Sequence, residues 1–379
     1  MNILVAPDSF KGSLSAKEFC DIAERAIKRI LPNANVIKVP LADGGEGTVE
    51  ALVLNTCGKI INKTVTGPLG EKVEAVFGVL GDGKTAVLEM ASASGLPLVP
   101  KDKRNPMITT TFGTGELVQE ALDMGCDKII LGIGGSATND GGAGMLQALG
   151  YKLLNDKGDP IHKGARGLLE LNYIDMYGLD SRIEDIDFLV ACDVENPLYG
   201  KNGAAYVYGP QKGAEEEMVP ILDEALKNFD KIIQKDLKKQ VAYVPGAGAA
   251  GGFGAGLLAF LDAELKPGLE IIMNTINLEE IFYKNKIDLV ITGEGEINYQ
   301  TINGKLPVGI AKLAKKYDVP VVAIVGSIGE GFEKVYEKGI DSVISIINRP
   351  MSLDKAMEKA PELLEDVISR IMKLLTILN

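Results

Sequence analysis

The sequence NILVAPDSFKGS, residues 2–13, contains the pattern that decides the fold. Four apolar residues at 3–6 are followed by a proline, an aspartate and a turn with glycine, and an amphipathic helical pattern covers residues 15–30. Short apolar runs bounded by turn residues are typical of buried strands. A strand that leads through a polar turn into a helix is the first half of a βαβ unit, so the chain is predicted to begin with parallel α/β structure.

The alternation of short apolar runs and amphipathic stretches continues along the chain. Further strands are predicted at residues 36–39, 128–133, 188–192, 289–292, 321–325 and 343–346. Further helices are predicted at residues 44–55, 305–317 and 361–378. Such alternation predicts parallel sheets whose strands are connected by crossover helices. Residues 59–90 interrupt it, because glycine-containing turns there separate short extended runs, which predicts an antiparallel meander.

The length of 379 residues exceeds what one hydrophobic core usually supports, so we expect two domains. The strands that begin at residues 3, 36, 289, 321 and 343 are predicted to form one flavodoxin-like, five-stranded parallel sheet in the order 2-1-3-4-5. Residues 1–70 and 287–379 then make up a discontinuous α/β domain. Residues 71–286 form a second α/β domain with glycine-rich loops, inserted into the first.

Composition excludes several classes of protein. The net charge of −12 argues against a broad basic surface for nucleic acid. The four cysteines form no C-x-x-C pair, which argues against zinc, iron–sulfur clusters and disulfides and suits a reducing cytosol. His162 is the only histidine and lies in a polar turn, so a Ser-His-Asp mechanism would depend on this one residue. The chemistry is therefore expected from carboxylates, lysines, hydroxyls and backbone amides.

The longest uncharged stretch, residues 240–261, has the length of a membrane span but not its composition. It contains six glycines and Pro245, which disfavour a continuous apolar helix. A glycine-rich loop leading into a helix is the better interpretation. Because the N-terminus also lacks a signal-peptide pattern, we expect a soluble cytoplasmic protein, a monomer or homodimer, with neither membrane nor nucleic acid as a partner.

Glycine- and carboxylate-rich segments follow many of the predicted strands. They read PDSFKGS at 7–13, ADGGEGT at 42–48, GGSATNDGGAG at 134–144, ACDVENPL at 191–198, PGAGAAGGFG at 245–254 and TGEGEINYQTINGK at 292–305. Ligands of open parallel sheets bind at the carboxyl ends of the strands, and the switch point of the predicted order lies between its first and third strands. Asp8 and Lys11 after the first strand are expected there. Glu294 and Glu296 after the third strand would face them.

Residues 134–144 are the strongest candidate for a phosphate-binding loop. Gly135 and its neighbours allow backbone N–H groups to turn towards a ligand. Ser136 and Thr138 add hydroxyl donors, and the following helix would offer its positive end. The alternative is a plain helix N-cap, with Asn139 or Asp140 as the capping residue. The chain has no G-x-x-x-x-G-K-[ST] P-loop, so a nucleotide site here would be of another kind.

Carboxylates and lysines within these segments could perform phosphoryl transfer. Mg²⁺ in such sites is held by one or two carboxylates together with phosphate oxygens, and another carboxylate takes the hydroxyl proton. The acidic candidates are Asp8, Asp43, Glu46, Asp140, Asp193, Glu294 and Glu296. Lys11 and Lys305 could balance the charge of a phosphate or of a substrate carboxylate. The alternatives are turn or cap residues for the acids and solvated side chains for the lysines.

In these segments the chain resembles the bacterial glycerate kinases of the type-1, ATP-dependent family. The family signatures read APDSFKGSLSA, PLADGGEGT, GGSATNDGG, ACDV-x-NPL, PGAGAAGG and TGEG-x-x-D-x-QT-x-x-GK, and the chain matches them in order from Ala6 to Lys305. The resemblance implies phosphorylation of D-glycerate by ATP in a cleft between two α/β domains. The site residues that it implies are Asp8, Ser9, Lys11, Asp43, Glu46, Ser136, Thr138, Asn139, Asp140, Asp193, Asn196, Glu294, Gln300, Thr301 and Lys305, to which the glycine loop adds Gly135.

Within this set we expect Asp8 to act as the base, and Asp193 and Glu294 to hold the Mg²⁺ that bridges the β- and γ-phosphates of ATP. Lys11 or Lys305 would balance the charge on the substrate carboxylate or the γ-phosphate. The expected product is 2-phosphoglycerate in preference to 3-phosphoglycerate. Two other classes stay open, an NAD-linked hydroxy-acid oxidoreductase and a non-catalytic protein that binds a small acid. The first would need a strand, a glycine fingerprint and a ribose-binding acid together, and no segment here supplies all three.

The chain departs from the family pattern at Asn298, where the last signature has aspartate. An amide can coordinate a metal through its carbonyl oxygen, but it carries no charge and cannot act as a base. As a capping residue, asparagine serves nearly as well as aspartate. The two roles make opposite predictions for the reverse substitution.

Overall fold

Strands and helices alternate through most of the chain, as the sequence predicts. The computed structural model describes residues 1–177 and 179–378. The strands are β1 (Asn2–Val5), β2 (Asn35–Lys38), β3 (Lys59–Thr66), β4 (Lys72–Val79), β5 (Thr85–Glu89), β6 (Lys128–Gly132), β7 (Lys152–Leu154), β8 (Tyr173–Asp175), β9 (Asp187–Ala191), β10 (Glu264–Lys266), β11 (Leu289–Ile297), β12 (Val321–Ile328) and β13 (Ser342–Ser345). The α-helices are α1 (Ala16–Ile30), α2 (Thr48–Thr56), α3 (Ala91–Ser94), α4 (Phe112–Asp123), α5 (Ala143–Ala148), α6 (Ala165–Glu170), α7 (Ala204–Tyr208), α8 (Val219–Asp236), α9 (Ala249–Phe260), α10 (Gly268–Thr275), α11 (Leu278–Asn285), α12 (Leu306–Lys315), α13 (Leu353–Glu358) and α14 (Ala360–Leu378). Short 3-10 helices lie at Leu96–Leu98, Lys101–Lys103, Ser181–Asp185, Pro210–Lys212, Thr301–Asn303 and Phe332–Lys338.

Helix α1 shows how local sequence sets the boundary of an element. Ser15 is its N-cap: the Ser15 hydroxyl accepts a hydrogen bond from the N–H of Glu18, and the Glu18 carboxylate accepts one from the N–H of Ser15. This reciprocal capping box fixes the start of the helix. The apolar face of α1 packs against α14, where Arg29 also forms an ion pair with Glu365 at 2.6 Å.

The chain forms two compact units, each with its own sheet and core. Unit 1 comprises Met1–Asp43, Glu50–Asn55 and the chain from Ile272 onward. Its sheet has five strands, all parallel, in the order β13-β12-β11-β1-β2. Ile3 of β1 pairs with Leu289 of β11 on one side and with Val36 of β2 on the other. This is the predicted flavodoxin-like order, and its switch point lies between β1 and β11.

Unit 2 comprises Gly44–Val49 and Thr56–Ile271. Its main sheet has six strands in the order β10-β9-β6-β5-β4-β3. The strands β3, β4 and β5 pair antiparallel, as the meander prediction requires, whereas β5, β6, β9 and β10 pair parallel. The core of this unit contains Phe77, Leu131 and Phe229, all fully buried.

Strand β3 lies on the unit 2 side of the division, although the predicted boundary is near residue 70. It pairs with β4 along its whole length, from Lys59 opposite Val79 to Thr66 opposite Lys72. A strand belongs to the sheet in which its backbone N–H and C=O groups are hydrogen-bonded. The sequence of the strand alone does not reveal which domain that sheet belongs to.

Strand β11 is longer than the sequence predicts. It stays paired with β12 as far as Ile297 opposite Ile328, so Glu294 and Glu296 lie within a strand rather than in the turn after it. Side chains alternate between the two faces of a strand, so these two residues share a face and their orientation is fixed by the sheet.

The uncharged stretch at residues 240–261 contains only the short helix α9, and that helix is kinked. Ala250, Gly251 and Gly252 have φ values of 53°, 75° and 86°, in the left-handed region. Within the described ranges, no helix is both long enough and apolar enough to cross a membrane.

Candidate active site

The carboxyl ends of β1 and β11 bring two buried carboxyl groups to one edge of the unit 1 sheet. The N–H of Asp8 donates to the carbonyl of Gly293 at 2.9 Å, so the segment after β1 continues alongside β11. Asp8 and Glu294 are each only 7% exposed. They lie at the switch point, where an open parallel sheet forms its ligand-binding crevice.

A cavity of about 810 Å³ within unit 1 opens at this edge of the sheet. Its polar end is lined by Asp8, Ser9, Lys11, Asp43, Glu294, Glu296, Asn298 and Lys305. The rest of its lining comes largely from apolar residues after β13 and in α13. Several residues that the sequence singles out, from both ends of the chain, therefore share one cavity.

Burial and a neighbouring carboxylate raise the pKa of Asp8. Removal from water contributes most and repulsion from Asp43 adds to it, bringing the pKa to about 6. A hydrogen bond from the N–H of Ser9, at 2.7 Å to Asp8 Oδ1, and the charge of Lys11 act in the opposite direction. The group is ionised at neutral pH but binds a proton more readily than an exposed aspartate.

The pKa of Glu294 is raised in the same way, to about 7, with burial as the main cause. The Thr301 hydroxyl donates to Glu294 Oε1 at 2.8 Å and, with the charge of Lys305, lowers the pKa. The charges of Asp8 and Asp43 raise it. The polar end of the cavity therefore holds more negative charge than its two lysines balance.

The lysines of this end are exposed enough to change position. Lys11 Nζ lies 3.5 Å from Asp43 Oδ2, and its side chain is 59% exposed. Lys305 Nζ lies 4.0 Å from Glu294 Oε2, and its side chain is 41% exposed. Long side chains with this exposure can turn their ammonium groups towards an incoming anion while their carbon chains stay packed.

Asn298 stabilises the turn between β11 and α12. Its Oδ1 accepts a hydrogen bond from the N–H of Gln300 at 2.9 Å, and its Nδ2 donates to Glu296 Oε1 at 2.7 Å. The first bond is the Asx-turn pattern of a capping residue. Gln300 is itself exposed, and its side-chain amide donates to the hydroxyl of Tyr299 at 3.3 Å.

In unit 2, Asp140 stabilises the glycine loop at residues 134–144 from within. Its carboxylate accepts hydrogen bonds from the N–H groups of Thr111, Gly142 and Gly144 at 2.9, 3.1 and 3.2 Å. Burial raises the pKa of this fully buried group, while those hydrogen bonds lower it. The first amides of α5 are thus occupied by the protein, whereas Gly134 and Gly135 at the start of the loop are exposed.

Lys212 is a residue that sequence analysis missed. It is only 2% exposed, and its ammonium donates to Ser136 Oγ at 2.8 Å and to the carbonyl of Thr138 at 2.6 Å. Burial lowers its pKa to about 7, against the attraction of Asp140. The flanking glycines of the G-P-Q-K-G segment are the only signal in the sequence that this lysine is held in a tight turn.

Further buried polar groups of the loop surround this lysine contact. Thr138 Oγ1 and both side-chain amide atoms of Asn139 are buried and have no hydrogen-bond partner within the described part of the chain. A buried amide in this state costs about 1–3 kcal/mol. The loop is therefore held in place at a cost in stability, which is characteristic of segments selected for function.

The glycine-rich segment at residues 245–254 packs against this loop. The Gly251 carbonyl accepts from the N–H of Gly141 at 3.1 Å, and a Cβ at Gly251 would lie 2.1 Å from the Thr138 carbonyl. Its glycines thus permit close packing of two backbones. That role differs from the phosphate contact of a dinucleotide fingerprint.

Three other predicted site residues of unit 2 lie outside the buried cluster. Asp193 is exposed and its Oδ1 accepts from the N–H of Gly268 at 3.0 Å. Asn196 donates to the Asn202 carbonyl at 2.8 Å and accepts from the Tyr208 hydroxyl at 2.6 Å. The third, Glu46, is exposed. The two hydrogen bonds of Asn196 show that its side chain stabilises its own loop.

Among the residues that the structure describes, no three histidine, cysteine, aspartate or glutamate side chains form a ready metal-binding cluster. A structural zinc site would require such a cluster. Mg²⁺ in phosphoryl transfer does not, because substrate oxygens and water complete its coordination.

The chain matches known proteins along nearly its whole length. A sequence profile described as the glycerate kinase family matches residues 3–376. The chain belongs to the glycerate kinase family. Its resemblance to that family is thereby confirmed over nearly the whole length.

Individual members of the glycerate kinase family agree with this result. A glycerate kinase from Halalkalibacterium halodurans is 54% identical over 369 residues, which cover 97% of this chain and 97% of that protein. A glycerate 2-kinase from Escherichia coli is 53% identical over 360 residues, 95% of this chain and 94% of that protein. The crystal structure of a Salmonella typhimurium LT2 protein assigned as glycerate kinase 2 matches with a TM-score of 0.90 and 48% identity, covering 100% of this chain and 98% of that one. The α/β fold of the family is therefore confirmed here.

Proposed function

We propose that this kinase transfers the γ-phosphate of ATP to D-glycerate in the cavity of unit 1, giving 2-phosphoglycerate in preference to 3-phosphoglycerate. Asp8 and Glu294 carry the proposal, since they are buried carboxyl groups with pKa values raised towards neutrality beside two lysines. Perturbed groups of this kind in a cavity are characteristic of catalytic sites. The name of the Escherichia coli relative, glycerate 2-kinase, supports the 2-hydroxyl as the acceptor.

Asp8 is the proposed base. In phosphoryl transfer the glycerate hydroxyl oxygen attacks the γ-phosphorus, its proton passes to a carboxylate, and ADP leaves. The N–H of Ser9 holds Asp8 Oδ1, so Oδ2 is the oxygen proposed to accept the proton. A pKa of about 6 leaves Asp8 ionised at neutral pH with enough proton affinity for this role.

Lys11 and Lys305 are proposed to balance anionic charge. The substrates bring a carboxylate and a triphosphate into a cavity that already contains Asp8, Asp43 and Glu294. The partly exposed ammonium groups are the cationic side chains that line this end. The lysine ammonium is a compact charge that can approach a phosphate from many directions, unlike the planar guanidinium of arginine. It can therefore stay close to the phosphoryl group while that group is transferred.

The polar end also fits Mg²⁺. Carboxylate oxygens are the hard donors that this ion prefers. Burial is the main cause of the raised pKa values of Asp8 and Glu294, and the charge of Asp43 raises both further, so this end of the cavity carries an excess of negative charge. Glu294 and Asp43 are the proposed ligands from unit 1, and Asp193 of unit 2 stays a prediction. When bound, Mg²⁺ neutralises charge on the β- and γ-phosphate oxygens.

In unit 2 we propose that Gly134, Gly135 and Ser136 contact a phosphate group. The Ser136 oxygen already accepts a hydrogen bond from Lys212, so its own proton is directed elsewhere. Lys212 is then a positioning residue, because it acts through the Ser136 hydroxyl and the Thr138 carbonyl. The two glycines are exposed and let the backbone approach a ligand closely.

The test is an ATP-coupled assay with D-glycerate in which the product is resolved by ³¹P NMR. We expect 2-phosphoglycerate and ADP in equal amounts. Asp8→Asn should lower kcat by about 10²–10⁴-fold, the usual contribution of a general base. Asp366→Asn, a change at a half-exposed carboxylate on α14, is the matched control and should leave kcat unchanged.

Two results would count against the proposal. Turnover by Asp8→Asn close to that of the parent chain would remove Asp8 from the reaction. A product phosphorylated at the 3-hydroxyl would leave the family function intact and correct the acceptor position.

A further inference from the structure

The cavity of unit 1 is larger and less polar than a three-carbon acid requires. Its volume is about 810 Å³, within the range of cavities that enclose a molecule of drug size. Its apolar lining includes Ile346, Ile347, Met351, Leu353 and Met357. We call these five residues the apolar wall. Glycerate, with a carboxylate and two hydroxyls, has no apolar surface to place against them.

Two members of the apolar wall are unusually exposed for aliphatic side chains. Leu353 is 73% exposed and Ile347 is 36% exposed, although both line the cavity. Covering one large aliphatic side chain is worth about 1.5–3 kcal/mol, so an apolar ligand would gain affinity here. Methionines such as Met351 and Met357 adapt their shape to flat or irregular ligands.

Hydrogen bonds connect the apolar wall to the catalytic end of the cavity. The Ser13 hydroxyl donates to the carbonyl of Met357 at 2.9 Å, which ties α13 to the segment that carries Asp8. The Ser345 hydroxyl donates to the carbonyl of Gly326 at 3.0 Å and accepts from the N–H of Ile347 at 3.1 Å. The apolar wall is therefore fixed in place before a ligand arrives, which lowers the entropic cost of binding.

The strand order sets the distance between the two ends. Ile346 follows β13 directly and Asp8 follows β1, three strand positions away in the same sheet. Neighbouring strands lie about 4.8 Å apart, so Asp8 and Ile346 are separated by roughly 14 Å across the sheet. Met357, at the other side of the apolar wall, lies beside Gly12 and Ser13 in the segment after β1. A ligand that reaches both Asp8 and Ile346 must be elongated, charged at one end and apolar at the other.

We propose that the apolar wall is the site for the purine base of the nucleotide, with the triphosphate directed to the carboxylate and lysine end. This rests on the proposed function, which supplies a nucleoside triphosphate as one of the two substrates. The base is flat and largely apolar on its two faces, and it is joined to the reacting phosphate through an elongated linkage. Leu353 and Met357, one turn apart on the same side of α13, would cover one of its faces, and no residue of the apolar wall takes part in the chemistry.

The experiment compares two probes on the full chain. ADP contains the base, and inorganic pyrophosphate contains the two phosphates without it. Leu353→Asn should raise the Kd of ADP, measured by calorimetry, by about tenfold, while pyrophosphate binding changes by less than about twofold. The KM for ATP should rise by a similar factor, and the KM for glycerate should not.

Matched variants separate loss of the contact from loss of the fold. Leu374→Asn makes the same change on α14, at a leucine that is 57% exposed and does not line the cavity, and should leave both probes unaffected. Leu353→Met keeps an aliphatic contact and should restore ADP binding to within about twofold of the parent chain. Because Leu353 is exposed, none of these changes disturbs the core.

Each outcome decides the proposal. Weakening of ADP but not of pyrophosphate supports it. Unchanged ADP binding, or equal weakening of both probes, overturns it. A rise in the KM for glycerate alone also overturns it, because the apolar wall would then contact the acid. If the parent chain fails to phosphorylate glycerate but the ADP-selective loss is seen, the base site stands and the acceptor proposal fails.

Discussion

Asn298 occupies the position of the family aspartate, and both ends of its side-chain amide are used within the turn. The oxygen accepts from the N–H of Gln300, and the nitrogen donates to Glu296. A carboxylate could keep the first bond, but it would replace the second with repulsion between like charges. The contacts are those of a turn residue and involve neither Asp8 nor Glu294.

We therefore predict that Asn298→Asp changes kcat by less than tenfold, equivalent to about 1.4 kcal/mol in the barrier. The free energy of unfolding should fall by about 0.5 kcal/mol, because two carboxylates would then lie side by side. Steady-state kinetics at saturating ATP and glycerate, together with urea unfolding, measure both. A gain in kcat of about 10²–10⁴-fold would instead identify the position as that of a lost general base.

The raised pKa of Asp8 predicts the pH dependence of the reaction. A carboxyl with a pKa of about 6 is protonated below that value and cannot accept the hydroxyl proton. We expect kcat/KM to fall about tenfold per pH unit below this midpoint and to level off above it. Lys11→Met removes a charge that lowers the pKa, so it should move the midpoint upward.

A pH–rate profile of both proteins tests this, with Lys17→Met on α1 as a control that removes an exposed lysine outside the cavity. A midpoint that stays in place in Lys11→Met would show that another group limits the acid side. A profile that is flat from pH 5 to 7, about one unit either side of 6, would remove Asp8 as the base.

At the scale of elements, the structure bears on the two roles that the sequence left as alternatives for the glycine loop of unit 2. Asp140 holds the loop and the start of α5 through the N–H groups of Gly142 and Gly144, but the N-cap position itself is Gly142 rather than the predicted Asn139 or Asp140. Its start at Gly134 and Gly135 is exposed, and phosphate binding there stays a prediction. Gly142 belongs to the first role, because a Cβ there would lie 2.6 Å from the ring of Phe253.

Gly135 permits a cleaner test of the loop than Gly142. Its φ is 71°, and an added Cβ would meet only Ala91 at 3.4 Å, so Gly135→Ala should cost about 1–2 kcal/mol of stability through backbone strain. We predict that it also weakens ADP binding by about tenfold, because the methyl group blocks close approach of a phosphate.

Gly125→Ala is the matched control for this prediction. Gly125 follows α4, has a φ of 83° and has nothing within 4 Å of the position of a Cβ. Thermal unfolding should show similar losses of stability for both variants, and calorimetry with ADP should show a loss of affinity for Gly135→Ala only. Equal ADP affinities would mean that the loop start serves folding alone.

At the scale of the whole molecule, the sequence predicted those features that depend on local pattern and on chain topology. The order of the unit 1 strands placed Asp8 and Glu294 at one switch point, and the structure has Asp8 after β1 and Glu294 within the neighbouring strand β11. The assignment of β3 to unit 2 and the burial of Lys212 were not predicted. Both depend on contacts between segments that carry no periodic signal of their own.

The apolar wall was missed for a related reason. Leu353 and Met357 lie on a short helix whose pattern gives no indication that it borders a cavity. Only the parallel alignment of β12 with β13, and the bond from Ser13 to α13, bring these residues to the active-site edge. Carboxylates and glycines in turns can be recognised in a sequence because few other roles require them there. Apolar residues that contact a ligand cannot, because the same residue types fill the hydrophobic core.

The buried ammonium of Lys212 makes the free energy of unfolding of the whole molecule depend on pH. Its pKa is lowered by burial from an ordinary value of 10.5 to about 7, while the neighbouring charge of Asp140 acts the other way. Between these two values the unfolded chain binds a proton that the folded chain has released. The free energy of unfolding should therefore rise with pH across that window and should not depend on this group below it.

The last prediction is that the stability difference between the parent chain and Lys212→Met increases in favour of the parent by about 2 kcal/mol from pH 7 to pH 9. The variant lacks this titrating group, and the groups that titrate in both proteins cancel in the difference between them. Urea unfolding followed by far-UV circular dichroism measures both, since the chain has no tryptophan to report fluorescence. Lys231→Met, at an exposed position on α8, should show no such pH dependence. A constant difference for Lys212→Met would mean that the buried ammonium keeps its charge, held by Ser136, Thr138 and Asp140, throughout the pH range in which the enzyme works.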